Sequence, residues 1–256
     1  MSEQWPNTVS VGPFLADKDA PGDIRLTTKV EGWGSPARRM VSTPRTGANG
    51  SYLLGQYWGD RTIVHTGLVM CGSASAAAAV AGELAALAPG IFLDYVIDND
   101  ATGAVACRVQ VAVGAEPEWI DASSFTYALT LAAPDPFKRA LTATTVPVTA
   151  GATVSHTAAG TFPAEIEVTL TSGGTVDLTI AGLRLRTASL PSGAILTSGP
   201  GFIRPKRTIR SALPANANLF GSIIQPMQWP AMVPGANSIH QAGTAGLSIR
   251  YFPTYA

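Results

Sequence analysis

Histidines, cysteines and paired carboxylates are where chemistry would start in this chain, and here they stand apart. The three histidines are His65, His156 and His240. None has a second histidine, a cysteine or a carboxylate at metal-ligand spacing. His65 sits in an apolar, strand-like run and reads as a structural histidine. Cys71 and Cys107 also lie in apolar strand-like segments and read as small hydrophobes, with no disulfide expected. Cys71 precedes a predicted helix start, where a dipole lowers a thiol pKa, yet it has no neighbouring histidine or acid to activate it. No Gly-x-Ser-x-Gly elbow, phosphate loop or dinucleotide fingerprint is present. The acidic residues are scattered without the pairing a glycosidase needs. The sequence therefore predicts no catalytic residue, no metal and no cofactor.

Three further patterns have a chemical and a plain reading. Asp98-Asn-Asp-Ala-Thr-Gly103 imitates the start of a calcium loop. The twelfth position, which should be a bidentate glutamate, is Val109 inside a strand-like run, so a hairpin turn is the better reading. Arg204-Pro-Lys-Arg-Thr-Ile-Arg210 is a basic run. Its Arg204, Lys206 and Arg207 could face phosphate, a sugar acid or a protein partner. They could equally be a solvated strand edge, where Lys and Pro block unwanted pairing. Trp229, followed by Pro230, could stack on a sugar ring or plug a core.

These residues need elements to position them, and period-two alternation supplies most of those. Asp23 to Val30, Arg61 to Cys71, Ile91 to Ile97, Val105 to Val113 and Ser124 to Ala132 read as strands. Val105, Cys107, Val109, Val111 and Val113 share one face, and Phe125, Tyr127, Leu129 and Leu131 share another. Ser35 to Gly50, rich in Pro, Gly, Arg and Thr, reads as an extended arm or long hairpin. Ala74 to Ala88 reads as a helix capped by Ser73 or Ser75 and stopped by Pro89-Gly90. It is apolar nearly all round, which predicts burial on all sides. Short strands then follow at Ala164 to Leu170, Thr175 to Ile180, Leu183 to Thr187, Ala194 to Thr197, Ser238 to Gln241 and Gly246 to Phe252. Gly, Pro and Asn separate them, as in β-sandwiches and jelly rolls. The texture changes after Pro134-Asp-Pro-Phe-Lys-Arg139, so two domains are expected, residues 1–145 and 146–256.

Composition narrows the function classes. Charged residues make up 13% of the 256, about half the usual share. That points to subunit-covered surface or to an alanine-rich coding bias. With 17 basic and 17 acidic residues the net charge is zero, which argues against free-standing nucleic-acid binding. The longest apolar stretch, Ala74 to Pro89, is interrupted by Ser75, Gly82 and Glu83, and predicts no membrane insertion. The N-terminus lacks the pattern of a secretory signal, so synthesis in a cytoplasm is expected.

Several segments together resemble a known family. They are Pro44-Arg-Thr-Gly-Ala-Asn-Gly50, Tyr57-Trp-Gly-Asp-Arg61 leading into Thr62 to Gly67, and the alanine-rich helix. Tyr127 to Pro136, Phe162-Pro-Ala-Glu-Ile166 and Trp229 to Ile239 complete the set. Their order and spacing, across nearly the whole chain, resemble the distal tail protein family of long-tailed siphophages, in its actinobacterial-phage form. The resemblance implies a mainly β fold. Its N-terminal part would be a tail-tube-like β-sandwich with one helix and a projecting hairpin arm. Its C-terminal part would be a galectin-like β-sandwich or jelly roll. It also implies a homo-hexameric ring below the tail-tube protein, carrying tail-tip or receptor-binding proteins, with DNA passing non-specifically through the lumen. The location implied is the tail tip of the virion, after assembly in the host cytoplasm. On this reading Arg38, Arg39, Pro44, Arg45 and Asn49 belong to the inter-subunit arm. Trp229, Arg204, Lys206 and Arg207 would be glycan or partner contacts on the outer domain. The alternatives are a carbohydrate-binding tail component, or a tail-tube or tube-end protein with a decoration domain.

Overall fold

The alternating segments become strands. A computed structural model of the chain describes residues 8–45, 49, 51–87, 89–98, 103–197, 208–211, 224 and 229–256, with backbone alone for 44, 51–57 and 208–211. The fold is mainly β, with one helix among the described residues. No helix among them is long and apolar enough to cross a membrane. The chain divides into two compact units, residues 1–138 with Ala256, and Arg139–Tyr255.

In the first unit the chain runs through β1 (Thr8–Val11), β2 (Phe14–Leu15), β3 (Lys18–Ala20), β4 (Asp23–Glu31), β5 (Arg38–Pro44), β6 (Ser51–Trp58) and β7 (Arg61–Cys71). Helix α1 (Ala74–Ala85) follows, then β8 (Phe92–Asp98), β9 (Val105–Val113), β10 (Glu118–Trp119) and β11 (Ser124–Ala133). The sheet order is β2-β1-β8-β9-β11-β7-β4-β3, with β10 added to β11. The two terminal strands of this path, β2 and β3, are joined by residues 16 and 17 alone. The three Cα steps from Leu15 to Lys18 span at most about 11 Å, so the sheet must roll until its edges approach. Arg25 on β4 seals that meeting, donating from Nη1 to the Leu15 carbonyl at 3.4 Å, with its guanidinium 5.2 Å from the Phe14 ring centre. Inside the roll lie Val9, Val11, Ile63, Val69, Phe125, Leu129 and Leu131, all fully buried. These residues alternate with outward-facing neighbours, and that alternation is what makes the strands legible. Val113 is the exception to the predicted buried face of β9: it is 61% exposed, because the register shifts between Val111, paired with the buried Leu131, and Val113, paired with the outward-facing Thr130.

Helix α1 starts at Ser73, whose Oγ accepts from the Ala76 N–H at 3.2 Å. It buries one stripe, Ala77, Val80 and Leu84. The expectation of burial all round is corrected: Ala78, Ala79, Gly82, Glu83 and Ala85 are exposed. Alanine favours helix through its low side-chain entropy cost, so an alanine-rich helix need not be a buried one. Arg25, only 5% exposed, ties α1 to the sheet. Its Nη1 donates to Glu83 Oε2 at 2.8 Å and its Nε to Asp23 Oδ1 at 2.8 Å. Replacing Ser73 with Ala leaves one helix N–H without its acceptor. The expected loss is about 1 kcal/mol, a fall in Tm of about 2–4 °C, read by calorimetry. An unchanged Tm would mean water caps this helix equally well.

The second unit follows β12 (Lys138–Ala140), which spans the division between the units. Its strands are β13 (Thr144–Val148), β14 (Thr153–Ala158), β15 (Ala164–Leu170), β16 (Asp177–Ile180), β17 (Leu183–Arg186) and β18 (Ala194–Thr197). The rest are β19 (Thr208–Ser211), β20 (Ala231–Met232), β21 (Gly235–Gln241), β22 (Leu247–Tyr251) and β23 (Thr254–Tyr255). One sheet runs β13-β22-β15-β18-β19 and the other β14-β21-β16-β17. Both sheets feed a single core that includes Ile166, Val168, Leu178, Ile180, Ile239 and Ile249. That is a β-sandwich, with outward positions such as Glu167, Thr169 and Arg250 alternating between the core residues.

Candidate functional site

Three places in the described residues carry polar or charged groups in unusual settings. The first is inside the rolled sheet. His65 is completely buried. Its Nδ1 lies 3.0 Å from the Tyr95 hydroxyl and its Nε2 3.2 Å from the Tyr127 hydroxyl. In the neutral imidazole one nitrogen donates to a tyrosine oxygen and the other accepts a tyrosine O–H. Gly67 makes room for this: it pairs directly with Tyr127, and a Cβ there would stand 2.4 Å from the Tyr127 hydroxyl oxygen. Burial pushes the His65 pKa down to about 4. Burial likewise pushes both tyrosine hydroxyls well above their ordinary range. The triad is a satisfied polar cluster sealed in apolar packing. It sets the relative positions of β7, β8 and β11.

The second is the base of the β5–β6 ribbon. Arg61 is 2% exposed. Its Nε donates to the Pro136 carbonyl at 3.0 Å and its Nη1 to the Gly32 carbonyl at 2.8 Å and to the Gly34 carbonyl. Lys138 Nζ donates to the Trp33 carbonyl at 3.0 Å and lies 5.1 Å from that ring's centre. Burial, reinforced by the Arg61 charge, pushes the Lys138 pKa down to about 8. Gly32 has φ +77°, and a Cβ there would stand 1.9 Å from the Thr62 carbonyl oxygen. Two cations and one glycine thus clamp residues 32–34 before the chain enters the ribbon.

The third is the ribbon itself. Among the described residues β5 and β6 pair only with each other, from Arg38 opposite Trp58 to Pro44 opposite Ser51. Gly59 N–H closes its base on the Ala37 carbonyl at 2.8 Å. Arg38 lies over the Trp58 ring at 4.8 Å. Arg38 to Thr43 are all exposed, so neither face of β5 is covered. Met40 is 66% and Val41 46% exposed, and as neighbours on a strand they point to opposite faces. Arg39, Arg45 and Asn49 are exposed as well.

The other residues singled out from the sequence fall elsewhere. Trp229 is 9% exposed and packed in the core of the second unit. The sugar-stacking reading of Trp229 is therefore corrected, since a ring enclosed by core side chains offers no face to a sugar. Arg204, Lys206 and Arg207 lie outside the described residues, as do residues 99–102 of the Asp98–Gly103 turn. His156 Nε2 stands 2.8 Å from the Tyr251 hydroxyl and His240 Nδ1 2.9 Å from Thr153 Oγ1. Among the described residues no three of His, Cys, Asp and Glu gather as a metal site. Sequence reasoning missed the Arg61–Lys138 clamp. Its one local signal is an arginine opening an otherwise apolar strand.

The chain shares its architecture with the Dit protein (gp 19.1) of phage SPP1, described as a paradigm of the hub of the adsorption apparatus in phages that infect Gram-positive bacteria. The match has a TM-score of 0.70 at 12% identity and covers 97% of this chain and 99% of that one. This is the fold of a phage distal tail hub. The hub fold also matches a chain of the phage P2 baseplate in its activated conformation with Ca, at TM-score 0.50 and 8% identity, over 95% of this chain and 97% of that one. No family model matches the sequence, and no curated protein matches it.

Proposed function

We propose that this chain is a structural subunit of a phage tail-tip hub. It assembles as a homo-hexameric ring that joins the tail tube to tail-tip or receptor-binding proteins and lets DNA through its channel. The observation that carries this reading is the hub fold along almost the entire chain. The first unit, corresponding to the domain read as residues 1–145, forms the ring through the β5–β6 arm, with Arg38, Arg39, Pro44, Arg45 and Asn49 at the subunit contact. The second, read as residues 146–256, holds partners. The protein acts by assembly and catalyses nothing.

Two physical features support the reading. A two-stranded ribbon whose β5 residues 38–43 are all exposed is marginal by itself, so this arm needs a partner surface. A net charge of zero suits a channel that DNA must slide through, because each phosphate contact adds salt-dependent affinity. Purified protein is expected to show six-fold rings, or stacked pairs of rings, by negative-stain microscopy, with hexamer mass by native mass spectrometry. A chain that stays monomeric at high concentration overturns the proposal.

A further inference from the structure

One backbone position in the first unit is left over by the sheet. The Ser123 carbonyl accepts from the Cys71 N–H of β7 at 2.9 Å, and the Ser124 carbonyl accepts from the Ile120 N–H at 3.0 Å. Peptide groups along β11 thus alternate in direction. Ser124, Thr126, Ala128 and Thr130 point theirs away from β7. Thr126 pairs with Glu118 of β10, and Thr130 pairs with Val113 of β9. Ala128 falls between these pairings and has no strand partner on that side among the described residues. Its side chain is exposed as well. A peptide group left this way takes its hydrogen bonds from water or from a partner.

A groove opens where the missing strand would run. Residues 114–117 carry the chain from β9 to β10 and leave a space of about 590 Å³ beside Ala128. Thr66, Thr126 and Ala128 line it from the sheet, and Val113, Glu116 and Glu118 from the connection. Val113 is 61% exposed, and both glutamates are exposed. Neither glutamate has an ion-pair partner among the described residues. Lys29, opposite Thr66 on β4, is paired with Glu31 instead.

An unpaired strand position, an exposed valine and two free carboxylates define what fits here. We infer that this groove binds an extended, basic segment of a different protein, added as a short strand against Ala128. A backbone N–H of the segment donates to the Ala128 carbonyl, and a carbonyl of the segment accepts from the Ala128 N–H. Arginines or lysines of the segment meet Glu116 and Glu118, and an apolar side chain covers Val113. Main-chain hydrogen bonds supply the affinity, and the charges select the partner. The site needs only one copy of the chain, so it stands apart from the ring proposed above.

The probe is a fluorophore-labelled, C-amidated heptapeptide in which arginine alternates with valine, titrated against the full chain by fluorescence anisotropy. Saturable binding is expected, with slowed amide exchange at Ala128 by hydrogen–deuterium exchange mass spectrometry. Glu116→Gln with Glu118→Gln is expected to weaken binding about tenfold, the size of two well-placed exposed ion pairs. The same peptide methylated on its backbone nitrogens keeps its charge but cannot pair as a strand, and is expected to bind at least about tenfold more weakly. Absence of saturable binding overturns the inference. So does equal binding of the methylated peptide, or a glutamate variant that binds as well as wild type. Loss of rings in the glutamate variant, read by native mass spectrometry, overturns it too, because a second copy would then fill the groove. A wild-type chain that forms no rings but binds the peptide as expected overturns the ring and supports this site.

Discussion

Lowering the pH from 7 to 4 is expected to destabilise the first unit by on the order of 3 kcal/mol through His65 alone. In the unfolded chain His65 takes up a proton near its ordinary pKa of 6.5; in the folded chain, enclosed by Tyr95 and Tyr127, it stays neutral down to about 4. Between those values the unfolded state binds the extra proton, so stability falls as pH falls. Above about 6.5 both states are neutral and the penalty vanishes. Asp23 acts in a lower window. The Arg25 hydrogen bond holds its carboxyl below the usual 3.8, so the stability it contributes is present above 3.8 and lost only below. Urea melts at pH 7 and pH 4.5 separate the contributions when wild type is compared with His65→Gln. The variant keeps a neutral polar side chain that has no proton to gain. It should lose less stability on acidification to pH 4.5 than wild type, by about 2.4 kcal/mol. Equal pH sensitivity in both proteins would mean that other groups carry the acid response.

Arg61→Met is expected to cost about 3 kcal/mol and to free the arm's base. The guanidinium holds three carbonyls, those of Gly32, Gly34 and Pro136. Methionine fills similar volume but donates nothing, leaving those oxygens without their donor. The loss is less than three full hydrogen bonds, because removing the cation also removes the cost of burying it. That cost is visible in its own pKa, which burial lowers, and in an Nη2 that is buried without a partner. The expected fall in Tm of the first unit is about 6–12 °C, with faster proteolytic cleavage between residues 32 and 38. Lys138 supplies a second readout. Without the Arg61 charge pressing on it, its pKa should rise from about 8, measurable by NMR titration. A variant with unchanged Tm and an unchanged Lys138 titration would show that neither the loop nor the lysine depends on Arg61.

Much of the secondary structure is legible in the sequence because period-two alternation with one buried face is a strong local signal. β7, β9, β15 and β18 begin and end where the residue types predict. Ser73 is legible as a cap because its hydroxyl has few better uses before a run of alanines. The arm is legible only as an open-ended segment. Proline, glycine and arginine indicate an extended chain, and the pairing of Arg38 with Trp58 needs the second strand. The cover of α1 is not legible, because alanine reports helix propensity and not burial. Trp229 is open to two readings because a tryptophan beside proline looks the same in a loop and in a core.

By itself the sequence determined the mainly β class, the positions of most strands and the helix after Ser73, since each depends on residues close together in the chain. The roll of the sheet was decided by tertiary structure. So was the seat of His65 between partners 30 and 62 residues away, and the reach of Arg61 to Pro136 across 75 residues. The physical reason is that a local pattern tells which face of a strand is buried, while strand order decides what lies against that face. The same division holds for the arm. Charge and composition made it visible, but its pairing, from Arg38 opposite Trp58 to Pro44 opposite Ser51, needs the second strand.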